Sequence, residues 1–186
     1  MGTEDRDQQR PPGQLTSTTV YRNAWMRVRE DTYRRPNGSV GTYGVVDKAD
    51  FAIVIAEEAG GFHLVEQFRY PIGRRAWEFP MGAWPPGRNG GLDELARQEL
   101  LEETGLTAST WRTLGPHLHE AGGFCSQGFK VFHATGLTPG PHRREESEAD
   151  MVQALVDEAE FVRMVLDGRI VDAATITAYA LLRLVT

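Results

Sequence analysis

Apolar residues between positions 18 and 48 alternate in part with polar ones, most clearly across Trp25-Met-Arg-Val-Arg-Glu-Asp-Thr-Tyr33. A period of two predicts strands. Pro36-Asn-Gly38 is a turn signal ahead of a further run, Ser39 to Val46, as an antiparallel hairpin requires. Phe51-Ala-Ile-Val-Ile-Ala56 is short and continuously apolar, the pattern of a strand buried on both faces. Ala59-Gly-Gly61 then turns the chain into a strand over Phe62–Phe68, and Trp77-Glu-Phe-Pro80 reads as a short strand closed by proline. Residues 82–91 hold four glycines and two prolines and read as loop.

From Leu92 to Thr104 the pattern changes to a helical one, and Gly105 stands where a left-handed C-terminal cap belongs. Strand-like segments recur at 110–118, 128–135 and 151–156. Two helices are expected to close the chain. One spans residues 157–166, and the other starts after Asp172 as N-cap and runs to Leu184. Strands interleaved with helices predict a layered α/β or α+β domain.

The helix at 92–104 carries the chemistry. With about 100° per residue and Leu92 at zero, Leu95, Ala96 and Leu100 fall near −60°, +40° and +80° and define the apolar face. Glu99 then falls near −20° and Glu103 near +20°, at the centre of that face, with Glu102 on its flank near −80°. A run of glutamates on a helix is ordinarily a solvated face. Here the wheel places two carboxylates one turn apart where burial is expected. An unpaired buried carboxylate costs several kcal/mol, so a positive partner is required. Arginines or a hard cation would serve, and Mg²⁺ suits carboxylate oxygens shared with substrate phosphates.

The 186-residue chain has room for one well-buried domain with a small extra element. Its net charge of −6 argues against non-specific nucleic-acid binding, and an acidic chain that handles phosphates needs local arginines or a cation. Cys125 is the one cysteine, so no internal disulfide forms, which is compatible with the cytoplasm. No apolar stretch is long enough to span a membrane. Residues 1–14 are polar and proline-bearing, and are expected to be a disordered tail with no signal peptide. His117 and His119 share one strand face, the spacing of a two-ligand site, but no third ligand with suitable spacing points to zinc.

Glu99-Leu-Leu-Glu-Glu-Thr-Gly-Leu106 resembles the second half of the Nudix box, and Glu78-Phe-Pro-Met-Gly82 resembles the strand and glycine that open it. Val20-Tyr-Arg-Asn-Ala-Trp25, Gly41-Thr-Tyr-Gly-Val-Val46, Gln67-Phe-Arg-Tyr-Pro71 and Ala134-Thr-Gly-Leu137 are similar to the ADP-ribose pyrophosphatase-like branch of that family. So is the ending Leu166-Asp-Gly-Arg-Ile-Val-Asp-Ala173, and the likeness runs over residues 18–185.

The resemblance implies an α/β/α sandwich around a mixed sheet. Residues 15–50 would form an N-terminal antiparallel β-element that pairs two copies into a homodimer, and residues 51–186 the hydrolase domain. The implied reaction is attack of water on the diphosphate of a nucleoside diphosphate sugar. ADP-ribose is the first candidate, giving AMP and ribose 5-phosphate. By the same resemblance Glu99, Glu102 and Glu103 bind Mg²⁺, with Mn²⁺ as the substitute ion, and the backbone carbonyl of Met81 completes the shell. Glu148, then Glu146, in the acidic run 145–150 are the candidates for the base that activates water. Arg69 is the candidate phosphate contact, since guanidinium matches phosphate oxygens, and Trp25 or Tyr21 the candidate for stacking on the base.

Four departures from the family pattern leave alternatives open. Gln98 stands where the box has arginine, and Arg97, about 100° away, cannot simply replace it. The loop after Gly82 is longer, with Gly90 in place of the first box glutamate. Gly122 and Gln127 stand where ADP-ribose enzymes commonly carry proline and glutamate. Hydrolysis of another nucleotide sugar, and a non-catalytic sensor on the same fold, are therefore the competing readings.

Overall fold

A computed structural model describes residues 13–141, 143–144 and 149–185. Most of the expected tail at 1–14 lies outside the described residues. The chain divides into two units, each with its own internal packing.

The first unit comprises residues up to Phe51 with segments 83–91 and 118–129. Its centre is a three-stranded antiparallel sheet in the order β1 (Gln14–Arg22), β2 (Met26–Arg34), β3 (Val40–Lys48). Asn23 closes the first turn by accepting the backbone N–H groups of Trp25 and Met26, both at 2.8 Å. Charges rather than apolar side chains line part of one face. Asp47 accepts from Arg27 and from Arg29, each at 2.9 Å, and Arg29 also pairs with the buried Asp31. Such half-buried pairs fix register more than they add stability. The segment 118–129 is bonded to the sheet edge: Val46 N donates to Phe124 O at 2.8 Å and Ser126 N to Val46 O at 2.9 Å. Gln127, one of the family departures, is buried and donates to Ala49 O at 2.7 Å.

The second unit comprises residues 52–82, 92–117 and 130–186. Its strands are β4 (Phe51–Glu58), β5 (Gly61–Arg69), β6 (Arg74–Glu78), β7 (Met81–Ala83), β8 (Leu106–His119), β9 (Gly128–Pro139) and β10 (Val152–Asp157). They form one seven-stranded sheet in the order β10-β5-β4-β9-β8, with β6 beside β5 and β7 beside β4. Residues 52–56 of β4 are all fully buried. A strand with no exposed face must be covered on both sides.

The helices are α1 (Leu92–Thr104), α2 (Glu158–Leu166) and α3 (Ala173–Val185). Asp157 caps α2 by accepting Glu160 N, and Asp172 accepts Thr175 N at 2.6 Å in the first turn of α3. Phe62 of β5 packs edge-on against Phe79, Phe161 of α2 and Tyr179 of α3 at 5.8, 5.5 and 6.0 Å. Four aromatic rings in contact make this the anchor of the sheet–helix layer. Thr175 Oγ1 accepts Phe79 N at 3.1 Å, which ties α3 to the short segment between β6 and β7. That segment leads directly into the candidate site.

The α/β class and the antiparallel N-terminal sheet are as the sequence predicts. The strands expected at 110–118 and 128–135 are longer in the structure, β8 starting at Leu106 and β9 running on to Pro139.

Candidate metal centre

Helix α1 forms over the span read from the sequence, and Gly105 ends it with φ 70°, its N–H bonded to Leu101 O at 2.9 Å. Leu95, Ala96 and Leu100 are fully buried, and Glu99 and Glu103 lie among them at 8% and 1% exposure. Glu102 is half-buried on the flank. The helix therefore turns two carboxylates inward, as the wheel requires.

Both inward glutamates meet the backbone of Met81 and Gly82. Glu103 Oε2 accepts Met81 N at 3.1 Å. A Cβ on residue 82 would stand 2.5 Å from the carboxyl carbon and both oxygens of Glu99. Only glycine leaves that space. The result brings two carboxylates to the main chain at Met81–Gly82, with Glu102 half-buried on the flank of the helix. Hard oxygen donors of this kind fit Mg²⁺ or Mn²⁺ and do not suit soft-ligand metals. Among the described residues no group of three or more His, Cys, Asp and Glu side chains forms a metal cage by itself. A cation held there would fill its shell from backbone, water or phosphate oxygens, which is the habit of Mg²⁺.

Gln98 donates to both oxygens of Glu102, at 3.0 and 3.2 Å. The glutamine thus supplies the orienting hydrogen bonds, without charge. Arg97 stacks on Trp111 with its guanidinium 4.6 Å from the ring centre, so it points away from the carboxylates.

Arg69 is at the end of β5, and its guanidinium meets Glu78 of β6: Nη2 to Oε1 at 2.5 Å and Nε to Oε2 at 3.1 Å. Gln67 adds a third bond to Glu78 at 2.7 Å. Burial pushes the Glu78 carboxyl above the ordinary range, and the Arg69 guanidinium opposes that shift. Arg69 is about two-fifths exposed while Glu78 is at 1%. Its outer edge is accessible to an anion, and its inner edge is fixed by a carboxylate. The sequence gives Glu78 no role beyond its place in the Glu78–Gly82 stretch; the alternation of Arg74–Glu78, which turns Ala76 and Glu78 inward, carried the signal.

Trp25 is 59% exposed at the β1–β2 turn, and Tyr21 is exposed on β1. Met81 is on β7, half-buried. Glu146 and Glu148 lie outside the described residues. Flanking them, Arg144 Nε donates to Glu103 O at 3.0 Å, and Arg75 holds the Asp150 side chain at 2.5 Å. Sequence reading singled out neither arginine.

The sequence matches two family models. Residues 14–46 match the nucleoside diphosphate sugar hydrolase N-terminal domain, and residues 47–176 match the NUDIX domain. An ADP-ribose pyrophosphatase of Mycobacterium tuberculosis is 36% identical over 179 residues, covering 92% of this chain and 83% of the relative. An ADP-ribose pyrophosphatase of Bacillus subtilis is 30% identical over 148 residues, 78% of this chain and 77% of the relative. A methanol dehydrogenase activator of Bacillus methanolicus is 25% identical over 174 residues, with 91% of each chain covered. The crystal structure of an ADP compounds hydrolase superposes with a TM-score of 0.80 over 94% of this chain and 93% of that one, at 20% identity.

Proposed function

This chain belongs to the Nudix family, and from that premise we propose how its buried glutamates are used. The protein is a Nudix-type pyrophosphatase, a hydrolase of acid anhydrides that acts on ADP-ribose or related nucleoside diphosphate sugars. The finer reading is ADP-ribose as the first substrate, cut to AMP and ribose 5-phosphate, with Mg²⁺ as the cation and Mn²⁺ as its substitute. The observation that carries it is the convergence of Glu99 and Glu103, both buried, on the Met81–Gly82 backbone.

Glu99 and Glu103 would hold the cation, with Glu102 and the Met81 carbonyl completing the protein's share of the shell. Bound there, the cation offsets diphosphate charge and lowers the pKa of water. The protein's own groups do the rest. Gln98 holds Glu102 in place. Arg69, steadied by Glu78, presents its free edge to a phosphate. Glu148 or Glu146 takes the proton from the attacking water. Trp25 or Tyr21 stacks on the base across the dimer interface, supported by the exposure of both.

We read the solution state as a homodimer joined through residues 15–50. Val20, Tyr21, Trp25 and Tyr43 leave large apolar area exposed on that sheet, and clustered exposure of this kind marks a contact surface. We place the enzyme in the cytoplasm, with which the lone Cys125 is compatible. Among the described residues no helix is long and apolar enough to cross a membrane.

The test is product analysis with a panel of nucleoside diphosphate sugars and Mg²⁺, separated by anion exchange. A mononucleotide and a sugar phosphate are expected, fastest from ADP-ribose. Tight binding of one compound with no turnover of any would favour the sensor reading motivated by Gln98.

A further inference from the structure

Phe79 and Pro80 carry the chain from β6, which pairs with β5, to β7, which pairs with β4. They belong to neither strand, so their peptide groups need partners beyond a regular ladder. Pro80 has no N–H, which leaves Phe79 and Met81 as the donors of the stretch. Met81 N goes to Glu103 Oε2 and Phe79 N to Thr175 Oγ1, each at 3.1 Å. Val54 N donates to Pro80 O at 2.9 Å. The preceding residue, Glu78, holds Arg69 and Gln67 through its carboxylate. The stretch thus joins the guanidinium read as a phosphate contact to the glutamates read as cation ligands, and it hangs from β4, α1 and α3.

Thr175 is the member that packing alone does not explain. It is fully buried on the face of α3 that also buries Ala178 and Leu182, three and seven residues on. An apolar side chain would fill such a position. The hydroxyl meets Phe79 N instead, and Phe79 is itself fully buried, so water cannot take the place of a lost partner there. The first turn of α3 is fixed beneath the hydroxyl, since Thr175 N donates to Asp172 Oδ2 at 2.6 Å.

We propose that Thr175 is a positioning residue for the metal centre: its hydroxyl fixes Phe79 N, and through it the Met81–Gly82 backbone on which Glu99 and Glu103 converge. This rests on the reading that α1 holds the cation. The connection is short and stiff, because Pro80 holds its own φ. Met81 N bonds Glu103, and a Cβ on residue 82 would stand 2.5 Å from the Glu99 carboxyl group. A shift of this backbone is therefore passed to both carboxylates.

The experiment uses two pairs of side chains that differ by the hydroxyl: wild type against Thr175→Val, and Thr175→Ser against Thr175→Ala. Mn²⁺ binding is read as loss of the free-ion electron paramagnetic resonance signal, and the rate on ADP-ribose is taken at a fixed Mn²⁺ concentration below saturation. In the valine and alanine variants the Mn²⁺ dissociation constant is expected to rise about 10-fold, with the rate falling in step, while the serine variant stays within about 3-fold of wild type on both. A role in packing alone gives another order: the valine variant, which keeps the volume, would match wild type, and serine would fall with alanine. That order overturns the proposal, as does a loss of rate with Mn²⁺ affinity unchanged. If the valine variant does not fold, the serine and alanine variants carry the test, and equal Mn²⁺ affinity in those two overturns the proposal. Wild-type protein that neither binds Mn²⁺ nor turns over any nucleoside diphosphate sugar overturns the underlying reading before a variant is compared.

Discussion

Glu103→Gln is expected to lose at least about 10³-fold in kcat while the protein stays folded, an increase of about 4 kcal/mol in the barrier. Glu103 is the most deeply buried of the three box glutamates, at 1% exposure. Its carboxylate accepts the Met81 N–H, and a glutamine oxygen can accept the same bond. The substitution removes the charge and keeps the shape. Neutralising a buried carboxylate in the absence of its cation lowers its desolvation cost. The melting temperature in a chelator should therefore be no lower than that of wild type, and scanning calorimetry checks this beside the initial rates. A fall in both activity and stability would point to a structural carboxylate instead.

Gly82→Ala separates the site from the fold in a second way. The added methyl carbon would stand 2.5 Å from the Glu99 carboxyl group. The group in its way is the free end of a flexible side chain, so the protein yields by moving Glu99 and not by breaking backbone. Gly82 has no left-handed φ, so alanine is tolerated there by the main chain. A melting temperature within a few degrees of wild type is expected, because about 1 kcal/mol shifts a domain of this size by about 2–4 °C. Activity should drop about 100-fold, the effect of displacing a catalytic group by about an ångström. Full activity in Gly82→Ala would show that Glu99 does not work from the position described.

These two residues also mark what could be read from the sequence. Helical periodicity alone turned Glu99 and Glu103 inward, and the structure places them at 8% and 1% exposure. The reason is local: one helix with a single apolar face leaves no freedom about where residues four apart point. Gly105 and Asp172 were legible for the same reason, since caps are set by a few adjacent residues. What escaped depends on contacts distant in the chain. The Arg69–Glu78 pair requires knowing that β5 and β6 are neighbours in register, with Gln67 opposite Ala76. Arg144 meets Glu103 across forty-one residues. Arg75 holds Asp150 across seventy-five. Gln98 was recognised as a departure from the box, but its actual partner, Glu102, appears only when both side chains are placed.

The central claim is that buried glutamates of α1 use a divalent cation to cleave a diphosphate. Its most direct test is phosphorus NMR of ADP-ribose incubated with chelator-treated protein, before and after Mg²⁺ is restored. The account predicts that the diphosphate resonances persist until Mg²⁺ is added and then give way to two phosphomonoester signals. Hydrolysis at the same rate in excess chelator, or no hydrolysis of any nucleoside diphosphate sugar after Mg²⁺ or Mn²⁺ is restored, would contradict it.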